Sequence, residues 1–293
     1  MSSKLLGGVE AGGTKMVCAV AYEPGEILNE ERFPTTDSDE TLARVVDYFQ
    51  RMAQTYGLPD AIGYGTFGPA SVCVGASDYG SILNTPKQGW GGVDVIGFLK
   101  DAFSNTRFAF DTDVNAAALG EGYAGASQGE ENYIYVTVGT GIGGGVVMGG
   151  RVHHGRMHAE IGHMLIPIAE GERPDFKGAC PFHGRCLEGL ASGTAMSERW
   201  GVSADMLDPG HEAWKLEAFY LAAMVQNLVA CYAPEKIILG GGVMEQGFLL
   251  DMVKVELSQI TGGYWQAHKD LLTLPALGDQ AGITGALLMA SAT

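Results

Sequence analysis

The sequence predicts an α/β fold made of two related halves. Strand-like and helix-like segments alternate along most of the chain, which is typical of sheets whose strands are joined by helical crossovers. Each half also begins with a strand, a glycine-rich turn and a returning strand, at residues 5–20 and 133–148, and this similarity indicates an internal repeat. At 293 residues the chain is long enough for one large or two medium-sized domains.

In the first half, Leu5–Glu10 and Lys15–Val20 are predicted strands joined by the tight turn Gly12-Gly13-Thr14. Apolar residues at spacings of three and four predict an amphipathic helix over about 38–56. The remaining predicted elements of this half are a strand at Ala61–Thr66, a helix at 93–104, a strand at Phe108–Phe110 and an alanine-rich helix from Asp113 to about 125.

In the second half, the predicted strand Tyr133–Val138 is followed by a glycine turn at Gly139–Gly145 and a return strand at Val146–Met148. Residues 151–188 form an irregular insertion that carries most of the histidines. Beyond it we predict a helix at Glu212–Tyr232, a strand at Lys236–Leu239, a turn at Gly240-Gly241-Gly242, and helices at 245–260 and 280–291.

Composition excludes several classes of protein. A chain with 46% hydrophobic and 18% charged residues is globular, and its net charge of -16 argues against nucleic-acid binding. The N-terminus has no secretory signal pattern, and no segment approaches the ~20 apolar residues that span a bilayer. Five cysteines are an odd number, and three lie in apolar surroundings typical of buried free thiols, so a disulfide framework is not expected. We expect a cytoplasmic protein with no membrane role.

The three glycine turns are the first candidates for ligand binding. Glycine lets backbone N–H groups approach phosphate oxygens, and Thr14, Thr137 and Thr140 add hydroxyl donors. A single turn of this kind is equally well explained as a simple hairpin, but three favour a nucleotide held by two halves. None matches a Walker or dinucleotide-binding pattern, which disfavours P-loop enzymes and dehydrogenases.

Asp113 lies where a predicted strand ends and a predicted helix begins. An aspartate there is most often only a helix N-cap. It could also accept the proton of a hydroxyl group that attacks phosphorus, because phosphoryl transfer needs one base, Mg²⁺ and a phosphate cradle.

Cys180, His183 and Cys186 follow one another at three-residue intervals, and His163 could supply a fourth ligand. Two thiolates and two imidazoles suit a tetrahedral zinc ion, which with four protein ligands would be structural. The alternative is two unrelated cysteines near surface histidines.

Four further polar residues have two interpretations each. Glu160 and Glu188 flank the predicted metal loop and could bind sugar hydroxyls, or they could be solvated charges. Asn84 and Asn115 could equally be turn and cap residues.

Taken together, these motifs resemble the ROK family of sugar kinases and repressors, and especially its bacterial fructokinases, over essentially the whole chain. Glu10–Lys15 is similar to the family's first phosphate motif, Thr137–Gly145 to its second, and Leu239–Val243 to its adenosine motif. Glu160-Ile161-Gly162-His163 matches its sugar-binding and zinc motif.

The resemblance implies the actin-like ATPase (ribonuclease H-like) fold, with two α/β domains flanking an active-site cleft. The expected domains are 1–115 with the C-terminal helix at about 280–293, and 116–279 with the zinc-binding insertion at about 151–188. Homodimers are usual in the family.

The resemblance also implies the site. Asp113 would be the catalytic base, and His163 with Cys180, His183 and Cys186 would bind zinc. The sugar would contact Asn84, Asn115, Glu160, His163 and Glu188. Phosphate and ATP would contact Gly12, Gly13, Thr14, Lys15, Thr140, Gly141, Thr194, Gly240, Gly241, Gly242, Val243 and Met244.

The chain departs from the family pattern at two places. Glu10 stands where many members have aspartate, which bears on contacts to Mg²⁺ and phosphate. His183 replaces one of the usual three zinc cysteines, a variant that resembles the fructokinases, as does Asn84-Thr85-Pro86-Lys87.

The expected activity is therefore transfer of phosphate from Mg-ATP to a hexose, with fructose favoured. A glucokinase, mannokinase or N-acetylhexosamine kinase of the same family is the alternative, because all these sugars present similar hydroxyls. A sugar-binding regulator is disfavoured, because a repressor would need a DNA-binding domain before the phosphate motif, and that motif begins by residue 10.

Overall fold

The computed structural model describes residues 4–293, and Met1–Ser3 lie outside the described residues. The absence of a secretory signal, which was predicted partly from these three residues, is therefore not tested by the structure. The chain divides into two compact units. The first comprises the residues up to Gln128 together with Val152–Ala159 and Leu277–Thr293, and the second comprises Gly129–Arg151 and Glu160–Ala276. The domain boundaries expected from the sequence stay a prediction; the compact units differ from them in keeping the whole segment 116–128 with the first unit.

Residues 4–293 form ten strands and eight α-helices. The strands are β1 (Leu6–Ala11), β2 (Lys15–Ala21), β3 (Ile27–Pro34), β4 (Ala61–Thr66), β5 (Arg107–Thr112), β6 (Tyr133–Val138), β7 (Ile142–Met148), β8 (Arg151–Val152), β9 (Lys236–Gly240) and β10 (Leu272–Thr273). The helices are α1 (Ser38–Tyr56), α2 (Val95–Ala102), α3 (Asp113–Ala124), α4 (Leu187–Ala191), α5 (Gly193–Trp200), α6 (Ala213–Tyr232), α7 (Leu249–Ile260) and α8 (Ala281–Ser291).

The two sheets have the same topology. The first has the order β3-β2-β1-β4-β5, and the second, taken in the same direction, has the order β8-β7-β6-β9-β10. In each, an antiparallel hairpin is extended by a parallel strand, with β1 pairing β4 and β6 pairing β9. The internal repeat predicted from the glycine hairpins is thereby confirmed.

The first sheet is covered by helices because its central strands are apolar on both faces. Every residue of β4 is buried, and only Glu10 of β1 is partly exposed. Helix α1 begins where the Asp37 carboxylate accepts the Glu40 N–H at 3.0 Å, and it buries Leu42, Val45 and Phe49. A positive φ of 91° at Gly57 follows its end.

Most predicted elements are confirmed, and α1, β4 and β6 have the predicted bounds. The predicted turn Gly139–Gly145 was too long, because Gly143, Gly144 and Gly145 pair with β6 as part of β7. Strands β3, β8 and β10 and helices α4 and α5 were not predicted. Strand β3 lies at the edge of the sheet and has four consecutive polar residues, Asn29–Arg32, so it lacks the polar–apolar alternation that predicts a half-buried strand.

Within residues 4–293, no helix combines the length and the apolar character that crossing a bilayer requires. The longest, α6, has twenty residues and contains the buried residue Glu217.

Helices α3 and α8 pack unusually closely in the first unit. A methyl group at Gly285 of α8 would overlap the carbonyl oxygen of Ala116, and one at Gly120 of α3 would overlap that of Ala281. At Gly63 of β4 it would overlap the carbonyl oxygen of Ala286. These glycines therefore set how near α3, with Asp113 at its start, lies to α8 and the sheet.

We predict that Gly285→Ala destabilises the protein by roughly 3 kcal/mol, because overpacking forces the two helices apart. Urea unfolding measures the loss. The matched control is Gly210→Ala, where an added methyl group meets nothing within 4 Å. Equal stability of the two variants would contradict the close packing of α3 and α8.

Candidate active site

The candidate residues of the first unit lie at one edge of its sheet. Strands β1, β4 and β5 are parallel, so their carboxyl ends share an edge, where ligands of α/β proteins bind. Glu10 lies near the end of β1, and Asp113 directly follows β5.

Asp113 is the first residue of α3. The role of N-cap, which the sequence analysis gave as the alternative for Asp113, belongs to Thr112. Thr112 caps the helix, its hydroxyl accepting the Asn115 N–H at 3.2 Å. The Asp113 carboxylate accepts the Val114 N–H at 2.8 Å. Burial raises the pKa of Asp113 to about 7, and the negative charge of Glu10 adds to the rise.

Glu10 is the second unusual carboxyl group. Its Oε2 atom is buried and has no hydrogen-bond partner among residues 4–293. A methyl group at Gly282 of α8 would overlap this carboxyl group in its present position, so the glycine leaves room for it. Burial raises the pKa of Glu10 to about 7, although the charge of Lys15 partly opposes the rise. Such groups concentrate at functional sites.

A polar cluster missed by the sequence analysis holds Asn115. Its amide nitrogen donates to Asp111 Oδ1 at 2.6 Å, and His154 Nε2 lies 2.9 Å from Asp111 Oδ2. The hydrogen bond to Asp111 raises the pKa of His154. Because Asp111 lies in β5 and Asn115 in α3, no helical periodicity links them, and the sequence pattern contained no signal for this pair or for His154.

The β1–β2 hairpin tip carries the other predicted phosphate ligands of this unit. Gly12 donates its N–H to the Lys15 carbonyl at 2.9 Å, which closes the turn and leaves Gly13 and Thr14 exposed. The Lys15 ammonium lies 3.6 Å from Asp279, with the two side chains 43% and 76% exposed. Exposed ion pairs are weak, so Lys15 is available to an anion. Asn84 is exposed in the loop after the bridge residue Ile82.

In the second unit, the turn between β6 and β7 lies against the start of α5. Gly193 donates its N–H to the Gly139 carbonyl at 2.7 Å, and the Thr194 hydroxyl donates to the Thr140 carbonyl at 2.7 Å. Ser192 caps α5 by accepting the Ala195 N–H. A glycine turn beside a helix N-terminus is a suitable place for phosphate oxygens.

The remaining predicted ligands of this unit lie around the same turn. Glu188 accepts the Ile142 N–H at 3.0 Å, and a side chain at Gly141 would meet its carboxylate. After β9, Gly241 has a φ of 89° and approaches the backbone of Val138. Val243 and Met244 follow and are buried.

His163, Cys180, His183 and Cys186 form one cluster whose ligand atoms all lie within 4.8 Å of one another. His163 Nδ1 is 3.8 Å from the Cys180 sulfur and 3.6 Å from the Cys186 sulfur, and His183 Nδ1 is 3.7 Å from the Cys180 sulfur. A tetrahedral zinc ion with ordinary bond lengths separates its sulfur and nitrogen ligands by about 3.6 Å. Glu160 Oε2 lies 4.0 Å from the other ring nitrogen of His163.

Two five-stranded sheets of identical topology, each with a glycine-tipped hairpin, define the actin-like ATPase class of fold. The chain belongs to the ROK family, whose sequence profile matches residues 6–293. The family and fold predicted from the sequence are thus confirmed.

Individual relatives are similar over nearly their full length. A fructokinase of Zymomonas mobilis is 42% identical, covering 99% of this chain and 97% of the relative. A fructokinase of Pediococcus pentosaceus is also 42% identical, covering 98% of each. Among solved structures, a ROK hexokinase from Thermus thermophilus is 30% identical, with a TM-score of 0.80 and 98% coverage of each chain.

Proposed function

We propose that the chain is an ATP-dependent fructokinase that converts D-fructose and ATP to D-fructose 6-phosphate and ADP. The observation that carries the proposal is the identity of 42%, over 99% of the chain, with a relative named fructokinase. The desolvated carboxylate of Asp113 supplies the chemistry that such a reaction needs.

Asp113 acts as the general base. Its carboxylate takes the proton of the sugar hydroxyl while the hydroxyl oxygen attacks the γ-phosphorus of ATP. The new oxygen–phosphorus bond forms as the bond from the γ-phosphorus to the oxygen of the leaving ADP breaks. A base works best when its pKa lies near the working pH, and that of Asp113 is raised to about 7.

Phosphate charge is offset by groups that the acidic chain supplies locally. In the first unit these are the backbone N–H groups of Gly13 and Thr14 at the hairpin tip and the ammonium of Lys15. The Glu10 Oε2 atom, buried without a hydrogen-bond partner in the described part of the chain, fits the oxygen ligands that Mg²⁺ prefers. Mg²⁺ bound with ATP would supply charge neutralisation there.

In the second unit, the ATP ligands are assigned to the turn Thr140-Gly141, to Thr194, and to the segment Gly240–Met244. The hydrogen bond from Thr194 to Thr140 and the short approach of Gly241 to Val138 support this assignment, because they bring these segments together.

The sugar ligands are assigned within each unit separately. In the first, Asn84 is exposed, and Asn115 donates to Asp111, which leaves its carbonyl oxygen as an acceptor for a sugar hydroxyl. In the second, Glu160, His163 and Glu188 are assigned to the sugar. The His163 Nδ1 atom faces the cysteine sulfurs, so Nε2 is the nitrogen left for a hydroxyl.

Zinc is the metal that we assign to His163, Cys180, His183 and Cys186, because the donor set and the separations of 3.6–3.8 Å suit a tetrahedron. With four protein ligands it would be structural, holding the 160–190 segment in shape.

We also expect a homodimer. Leu165 and Phe182 of the same segment are 77% and 56% exposed, which supports an interface there.

We predict that the purified protein contains about one zinc ion per chain. Cys186→Ser should lose the metal and lower the melting temperature, because the buried ligand is removed. Cys231→Ser is the control, since Cys231 is exposed and outside the cluster. Elemental analysis and thermal unfolding decide; a metal-free wild type that is fully stable would refute the zinc assignment.

ADP release from Mg-ATP with fructose, glucose, mannose and N-acetylated hexoses tests the proposed activity. We predict the highest kcat/KM with fructose. A preference for another hexose would support the kinase activity and contradict the assignment of fructose as the substrate. No turnover with any sugar would favour a sugar-binding protein without catalysis.

A further inference from the structure

All three carbonyl groups at the tip of the β1–β2 hairpin are held by side chains or backbone of the first unit. The Thr35 hydroxyl donates to the Gly12 carbonyl at 2.8 Å. The Lys87 ammonium donates to the Gly13 carbonyl at 2.6 Å. The Thr35 N–H donates to the Thr14 carbonyl at 3.0 Å.

Holding these carbonyls fixes the direction of the N–H groups that follow them. In a trans peptide the C=O of one residue and the N–H of the next point to opposite sides. The carbonyls of Gly12 and Gly13 face inwards, so the N–H groups of Gly13 and Thr14 face outwards. Within residues 4–293, neither N–H has a hydrogen-bond partner, and an added side chain at Gly13 would meet nothing within 4 Å.

Lys87 reaches the hairpin from the loop that carries Asn84. This loop is anchored by Trp90, which is fully buried and donates its ring N–H to the Thr36 carbonyl at 2.9 Å. The Trp90 ring packs edge-on against Phe67. The Lys87 ammonium lies 6.0 Å from the Phe67 ring centroid and 3.5 Å from the Thr35 carbonyl. Thr35 therefore contacts both the hairpin tip and the loop, and Thr36 holds the loop through Trp90.

We propose that Lys87 is a positioning residue for phosphate binding, and that it holds the hairpin tip so that the N–H groups of Gly13 and Thr14 point at the phosphates of ATP. The inference rests on the proposed kinase function. Thr35 holds the carbonyls on either side, but the central one, that of Gly13, depends on Lys87. An ammonium group suits this role because it adds positive charge beside an anion and can donate to two carbonyls at once.

The test is Lys87→Met, which keeps the apolar stem of the side chain against Phe67 and removes the ammonium. We expect kcat/KM for Mg-ATP to fall about tenfold to a hundredfold. The variant loses one charge-assisted hydrogen bond, and with it the fixed direction of the Thr14 N–H group that follows the Gly13 carbonyl. The KM for fructose should change little, because Trp90 still anchors the loop. Lys87→Arg should restore most of the activity, since a guanidinium can also donate to carbonyl oxygens.

Lys100→Met is the matched control, because Lys100 is an exposed lysine on α2 of the same unit. Lys87→Met kinetics equal to those of Lys100→Met would overturn the proposal. So would equal losses with ATP and fructose together with a lower melting temperature, which would indicate a merely structural lysine.

Equilibrium binding of the ATP analogue AMPPNP separates this proposal from the proposed function. If the wild type binds AMPPNP but phosphorylates none of the sugars, the fructokinase assignment fails. Weaker AMPPNP binding by Lys87→Met would still support the role of Lys87, and unchanged binding would overturn it.

Discussion

The burial of two carboxyl groups at the carboxyl edge of the first sheet is the constraint around which the first unit is arranged. Glu10 and Asp113 are desolvated because α3 and α8 lie close to the sheet and to each other. Glycines make this possible: Gly282 leaves room for the Glu10 carboxyl, and Gly285 admits the backbone of α3.

This arrangement costs stability. A carboxyl group whose pKa rises on folding binds its proton more tightly in the folded state. Stability is therefore lower above pH 7, where both groups would be ionised, than near their unfolded pKa values of about 4. The cost is consistent with a site kept for chemistry, since an apolar pair at these positions would have no such penalty.

The two sheets share one topology but carry different functional groups. Each supplies a glycine-tipped hairpin at a strand end, but the first adds Asp113 and Glu10, whereas the second adds the N-terminus of α5 and the cluster of cysteines and histidines. In the proposed function both hairpins hold phosphate oxygens, with different side chains placed beside each. Binding through backbone N–H groups would allow a chain with a net charge of -16 to bind an anion.

Sequence patterns predicted the elements with strong periodicity and the clusters with strong spacing. Helix α1 and strand β6 were predicted with correct bounds, and the four residues of the predicted metal site do come together. Contacts between residues far apart in the sequence were missed. His154 pairs with Asp111 across 43 residues, and Lys87 reaches Gly13 across 74, so no local pattern records either contact.

The N-cap of α3 shows why local signals can be ambiguous. Thr112 and Asp113 are both suitable caps, and only the structure shows that Thr112 caps the helix while the Asp113 carboxylate is left for another role.

The most direct test of that role is the pH dependence of kcat/KM in the wild type, compared with Asp113→Asn. We predict that wild-type activity rises as pH increases through about 7, because the base must lose its proton. The variant should lose about 10²- to 10⁴-fold in kcat while keeping its fold and its binding of AMPPNP. Near-normal turnover in Asp113→Asn, with the same pH profile, would contradict the account.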